Sequence, residues 1–102
     1  MENKTPLTKE EVLKALEDLD GWQLEFKCIT RRFYIEDWAK ITAFLKEVAN
    51  AIEKTNHHPD IIFHTATKTI TISTTTHSHG SITQADIDLA KTLNQSLEKI
   101  LG

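Results

Sequence analysis

Apolar residues recur along this chain at two periods, every third or fourth position in some stretches and every second in others, and the switches between them mark the elements. In "TPLTKEEVLKAL", Thr8 and Glu11 form a capping box, and Val12, Leu13, Leu16 and Leu19 make one helical face that ends at Asp20-Gly21. Trp22, Leu24, Phe26 and Cys28 then alternate with polar residues, the pattern of a half-buried strand. A turn or bulge near Lys27–Thr30 leads into a second strand with Ile29, Phe33 and Ile35 inward and Arg31 as the exception. In "EDWAKITAFLKEVANAIEKTN" the helical period returns, with Trp38, Ile41, Leu45, Val48 and Ile52 on one stripe, Asp37 to cap it and Asn56 to close it. Pro59 disfavours helix at the residue before it. Two β-rich runs follow, Ile61–Phe63 and "KTITISTTT", in which Ile70 and Ile72 share a face. After the polar loop "HSHGS", Thr83 caps a last helix that carries Asp86 in its first turn and Ile87, Ala90, Leu93, Leu97 and Ile100 as its stripe.

The predicted order is α-β-β-α-β-β-α, an α+β fold in which a four-stranded antiparallel sheet carries three helices on one face. Trp38, Ile41, Leu45, Val48, Ile70, Ile72, Ile87 and Leu93 are the expected core. Residues 1–102 are read as a single domain, because no linker or low-complexity segment interrupts the pattern and the length suits one core. So small a core leaves little surplus buried area, and sheet edges need protection, so self-association is expected.

Composition changes the picture mainly by exclusion. The chain is 39% apolar and 26% charged, with a formal net charge of −3, and its longest basic run is Arg31-Arg32. No basic patch offers a nucleic-acid surface. No stretch approaches the ~20 apolar residues that span a bilayer, and none resembles a signal peptide, so no membrane association and a cytoplasmic location are expected. The single Cys28 excludes an internal disulfide and any Cys-x-x-Cys motif.

All five histidines, His57, His58, His64, His77 and His79, fall between residues 53 and 80. A metal site could use His77 and His79 with His64 or Asp86, but neighbours such as His57 and His58 point to opposite faces of an extended chain, and no HExxH or Cys/His spacing is present. Surface histidines are the plain reading for His64 and His79. A proton-transfer site is the third reading. His57 and His58 directly follow a long helix, whose negative end favours a protonated imidazole, and Glu53 stands one turn before His57. His77 ends the last strand, and Asp86 opens the next helix, so these groups can converge at one end of the sheet as general acids and bases.

The segments "AIEKTNHHPDI", "ITISTTTHS" and "GSITQADIDLA", with "LDGWQLE", "RRFYIEDW" and "FLKEVANAIEK" upstream, resemble the pterin-4a-carbinolamine dehydratase (4a-hydroxytetrahydrobiopterin dehydratase) family. The resemblance covers nearly the whole chain. It implies the fold derived above, dimers or tetramers, and a hydro-lyase that converts 4a-hydroxytetrahydrobiopterin to quinonoid dihydropterin beside aromatic amino-acid hydroxylases. It implies no metal and no organic cofactor. By motif, His57, His58 and His77 match the family's catalytic histidines, and Glu53, Pro59 and Asp86 match positions that accompany the substrate. Gly80-Ser81-Ile82 departs from the usual Gly-Gly-Leu. The hairpin between His58 and His77 is longer than usual, and Phe63 is its only aromatic residue, earlier than the family's. His79 is an alternative to His77 if the register shifts. The competing reading is a dehydratase-like scaffold that dimerises with or binds a protein partner.

Overall fold

The computed structural model describes residues 4–102, so the start of the chain, residues 1–3 of the domain expected above, lies outside the described part. Thr8 caps helix α1 (Lys9–Leu16) through the reciprocal box with Glu11. Strands β1 (Gln23–Glu25) and β2 (Cys28–Tyr34) form the first hairpin, and α2 (Trp38–Thr55) follows behind its Asp37 cap. Strands β3 (Asp60–His64) and β4 (Thr69–Thr74) form the second hairpin, and α3 (Gln84–Leu101) closes the order α-β-β-α-β-β-α. The four strands are antiparallel in the order β1-β2-β4-β3. This puts β4 in the middle of the sheet and leaves β3 as an edge.

Register decides which side chains face the helices. Ile29 lies opposite Thr74, Arg31 opposite Ile72 and Phe33 opposite Ile70, so one face of the central pair is nearly continuous apolar surface. Ile41, Phe44, Val48 and Ala51 of α2, with Ile87, Leu89, Ala90, Leu93 and Leu97 of α3, pack into one core with it. Trp22, Phe33 and Phe44 run through that core, with ring centroids 5.9 and 4.8 Å apart in sequence.

Arg31 breaks the strand's alternation because partners at the rim of the core satisfy it. Its Nη1 donates to Asp20 O at 2.9 Å and Asn94 Oδ1 at 2.7 Å, and its guanidinium lies over Phe33. Gly21 makes room: a Cβ there would stand 2.5 Å from the Arg31 Nε, and its φ of +83° also favours glycine.

Three expectations change. Trp38 is 46% exposed rather than core, because it is the first residue of α2 and lies against Phe63 on the edge strand, with ring centroids 6.0 Å apart. Phe26 is 93% exposed, because the turn falls at Phe26-Lys27 and ends the alternation one residue earlier than the pattern suggests. Leu13 turns outward, leaving Val12 as the only fully buried residue of the short α1.

Candidate active site

The end of α2 sets the geometry. Asn56 adopts the left-handed conformation at φ 57°, tolerable for asparagine, while its N–H still bonds to Ile52 O at 2.8 Å. The chain therefore leaves the helix abruptly. His57 turns inward and is only 5% exposed, whereas His58 faces out.

The last helix supplies the partner. Asp86 is the third residue of α3, and it accepts the Thr83 N–H at 2.9 Å in a capping box. The same carboxylate is fully buried and meets three more donors. Its Oδ1 lies 2.6 Å from His57 Nε2 and 2.6 Å from Thr74 Oγ1, and its Oδ2 accepts from Thr76 Oγ1 at 2.9 Å. Thr74, Thr76 and the Thr83 N–H donate to it, and because an ionised carboxylate can only accept, its contact with His57 needs a proton on the ring nitrogen as well. Nε2 is therefore the nitrogen that carries the proton in a neutral His57 ring, and the basic character of that ring passes to Nδ1.

His77 arrives from the other side. Thr76 pairs with Ser81 across the loop, its N–H bonding to Ser81 O at 3.0 Å, so residues 77–80 form a tight excursion. His77–His79 make a single 3-10 turn, closed by Gly80 in the left-handed region at φ 60°. A Cβ on Gly80 would meet nothing, so backbone conformation alone favours glycine there.

His57, His58 and His77 line one cavity of about 230 Å³ at this end of the sheet, together with Lys4, Asn56, Thr75, Thr76 and Ser78. The N-terminal segment is held beside the site by Leu7 N–H to Ile82 O at 3.1 Å and Gln84 N–H to Thr5 O at 2.9 Å. Thr75 Oγ1 is buried and has no hydrogen-bond partner among the described residues, a polar atom that a ligand in the cavity could satisfy. Neither Lys4 nor Thr75 was singled out in the sequence.

His79 does not line the cavity, and its Nδ1 lies 3.0 Å from Ser78 Oγ instead. His64 ends β3 at the opposite end of the sheet. Glu53 and Pro59 are also outside the lining, and Glu53 is exposed with no hydrogen bond or ion pair among the described residues. The partner expected of Glu53 is supplied by Asp86. Asp86 in turn is fully buried and does not line the cavity, and it bonds to two residues that do, His57 and Thr76.

A larger hollow of about 960 Å³ lies elsewhere, between α1 and the first hairpin, lined by Val12, Leu13, Leu16, Leu24 and Phe26 among others. It is the bigger space but holds no histidine and no buried acid–base pair. The chemistry therefore points to the smaller cavity. Among the described residues no three His, Cys, Asp or Glu side chains are grouped to hold a metal ion, and no helix is long and apolar enough to cross a membrane.

Comparison with known proteins places the chain as a whole. The family model described as pterin 4 alpha carbinolamine dehydratase matches residues 5–96. A provisionally named pterin-4-alpha-carbinolamine dehydratase of Aquifex aeolicus is 34% identical over 93% of this chain and 94% of its own. Another so named, from Nocardia farcinica, is 38% identical over 87% and 92%. The crystal structure of a transcriptional coactivator/pterin dehydratase from Brucella melitensis superposes with a TM-score of 0.83 at 32% identity, covering 91% of this chain and 99% of that one. This chain belongs to the pterin-4-alpha-carbinolamine dehydratase family.

Proposed function

We propose that the protein removes water from a 4a-hydroxytetrahydropterin such as 4a-hydroxytetrahydrobiopterin, by histidine acid–base catalysis in the cavity lined by His57, His58 and His77. The observation that carries this reading is their convergence there, with the His57 ring held on the buried Asp86 carboxylate. The reaction needs one proton delivered to the departing 4a-hydroxyl and one removed from the ring nitrogen. Net loss is one water, the product is the quinonoid dihydropterin, and the enzyme's proton count is restored. Imidazoles suit both transfers near neutral pH. His57 has its tautomer set by Asp86, and so exchanges protons through Nδ1. His58 and His77, on the exposed sides of the cavity, complete the acid–base pair and orient the pterin, and Thr75 Oγ1 offers a ligand hydrogen bond. The setting is regeneration of the pterin cofactor of an aromatic amino-acid hydroxylase, in the cytoplasm, by a homodimer or homotetramer.

A hydroxylase-coupled assay tests the reading. Wild type should speed dehydration above the spontaneous rate, with no response to EDTA. His58→Ala and His77→Ala should each lower it about a hundredfold to ten-thousandfold without unfolding the domain, because both side chains are exposed. His64→Ala should be silent. Full activity in the triple His57/His58/His77 alanine variant would refute the assignment.

A second reading has an observation of its own. The edge strand β3 exposes Ile61 and Ile62, with Tyr34 and Trp38 also exposed, and such an edge can add a strand from a protein partner. The Brucella relative is described as a coactivator as well as a dehydratase. A wild-type protein that binds one stoichiometric partner through β3 and leaves dehydration at the spontaneous rate would favour this reading.

A further inference from the structure

We propose that Thr74 is a positioning residue for His57, acting through Asp86: its hydroxyl occupies one of the two hydrogen-bond sites on Oδ1 and so sets how strongly that oxygen holds the imidazole. The proposal rests on the reading of the cavity as an acid–base site, and it concerns a residue that never reaches the cavity. Thr74 is 1% exposed and continues the core face of β4 beyond Ile70 and Ile72.

The directions of the protons can be worked out from the contacts. Thr83 N–H is an obligate donor to Asp86 Oδ2. Thr76 spends its one hydroxyl proton on the same Oδ2, so the 2.7 Å contact between Thr76 Oγ1 and Thr83 Oγ1 carries the Thr83 proton toward Thr76. Thr83 Oγ1 in turn accepts the Ala85 N–H at 3.3 Å. One carboxylate oxygen is thus saturated by the cap of α3 and its neighbour.

Among the described residues the other oxygen, Oδ1, also has two partners, His57 and Thr74, each at 2.6 Å. A donor at Thr74 draws electron density from Oδ1 and stabilises the carboxylate whatever the charge on His57. It therefore weakens the extra attraction that a protonated His57 would feel. It also holds the carboxylate plane against rotation, which fixes the direction from which Nε2 is bound. Without the Thr74 hydroxyl, Oδ1 has His57 alone to satisfy it, and the imidazolium form gains.

The other groups that face His57 do not duplicate this role. Lys4 from the N-terminal segment, His58 beside it and His77 from the loop after β4 line the same cavity, while Asp86 is the acidic group from α3 that bonds to the ring. Lys4, His58 and His77 share the cavity lining with His57. Thr74 acts from the core side, through the carboxylate.

The test compares Thr74→Val, which keeps the shape and deletes the donor, with Thr74→Ser, which keeps the donor. Nitrogen-15 NMR of the His57 ring follows its titration and tautomer without any pterin, so the result does not depend on whether the protein is a dehydratase. In Thr74→Val the His57 midpoint should rise by about half a unit to one unit, a part of the full worth of a hydrogen bond to a charged group, because the bond is lost whether His57 is neutral or protonated. In Thr74→Ser it should stay at the wild-type value. In the coupled assay, the acid limb of the pH profile should move with it, with kcat reduced and KM little changed. An unchanged midpoint in a folded Thr74→Val protein overturns the proposal. So does an equal rise in Thr74→Ser, which would show that the methyl packing, not the hydroxyl, was responsible. If wild type fails to accelerate dehydration, the functional reading falls, while the NMR comparison still decides the role of Thr74.

Discussion

Replacing Asp86 by asparagine removes one charge while keeping the side chain's shape, and the surroundings dictate how the amide must sit. The Thr83 backbone N–H cannot be anything but a donor, and Thr76 donates to the same oxygen, Oδ2. The amide carbonyl must therefore take that side and its NH2 group must face Thr74 and His57. Thr74 can answer by rotating its hydroxyl. His57 can answer only by giving up its Nε2 proton and switching to the Nδ1–H tautomer, which places the proton on the nitrogen whose basicity the proposed mechanism needs. All four hydrogen bonds can be kept in this arrangement, but each changes from charge-assisted to neutral. That difference is about 1 kcal/mol per bond, and the four are coupled, so Asp86→Asn should cost about 2–4 kcal/mol. A domain of this size loses about 4–8 °C in Tm per kcal/mol. Urea unfolding followed by tryptophan fluorescence would read the change, since Trp22 is buried. The control is Asp88→Asn, two positions further along; Asp88 is exposed and, among the described residues, accepts a hydrogen bond from Gln84, so a change within about 0.5 kcal/mol is expected. Activity should fall further than stability. The same substitution behind the histidine of a serine protease lowers kcat about 10⁴-fold through the wrong tautomer. An Asp86→Asn protein that is as stable as wild type, or that dehydrates pterin within a factor of about three of wild type, would refute this reasoning.

Two further outcomes follow from the surface. Phe26→Gly should stabilise the domain by about 1 kcal/mol in urea, because φ at this turn is +53° and a side chain that exposed contributes little packing to lose. Ile62→Lys places a charge on the edge strand, where Ile62 is 55% exposed; if the proposed homo-oligomer forms through this edge, light scattering should show wild type as an oligomer and the variant as a monomer with native circular dichroism, and an equal mass for the two would refute an interface at β3.

The order and type of the elements were legible because the apolar period changes cleanly at each boundary, and Thr8-Glu11 and Thr83-Asp86 mark two helix starts by their caps. The errors share a cause: one-dimensional periodicity cannot see where an element stops in space. Phe26 continued an alternation into a turn, and Trp38 continued a helical stripe to the rim of the sheet, where it lies against Phe63 and stays 46% exposed. Glu53 is the instructive case. Four residues separate it from His57, the spacing of helical neighbours. But Asn56 leaves the helix in the left-handed conformation, so His57 is no longer on that helix face and turns toward α3 instead.

The threonines show what a fuller use of the same sequence could have found. Read by propensity alone, Thr74, Thr75 and Thr76 are good strand residues and nothing more. Alternation says more. Ile70 and Ile72 face the core, so Thr74 must carry a hydroxyl into the same apolar layer, and Thr76 follows on the same side. A buried hydroxyl without a partner costs stability, so an acceptor had to be within reach. In an antiparallel sheet with α3 returning over β4, the nearest acceptor-only side chain is the one in the first turn of that helix, Asp86. Two inward threonines followed by a histidine, and then a helix opening with a capping carboxylate, therefore specify a saturated buried acid. What they cannot specify is which histidine it holds. That depends on the backbone reversal at Asn56, where the helix could equally have presented His58, and only the three-dimensional turn brings His57 to the carboxylate.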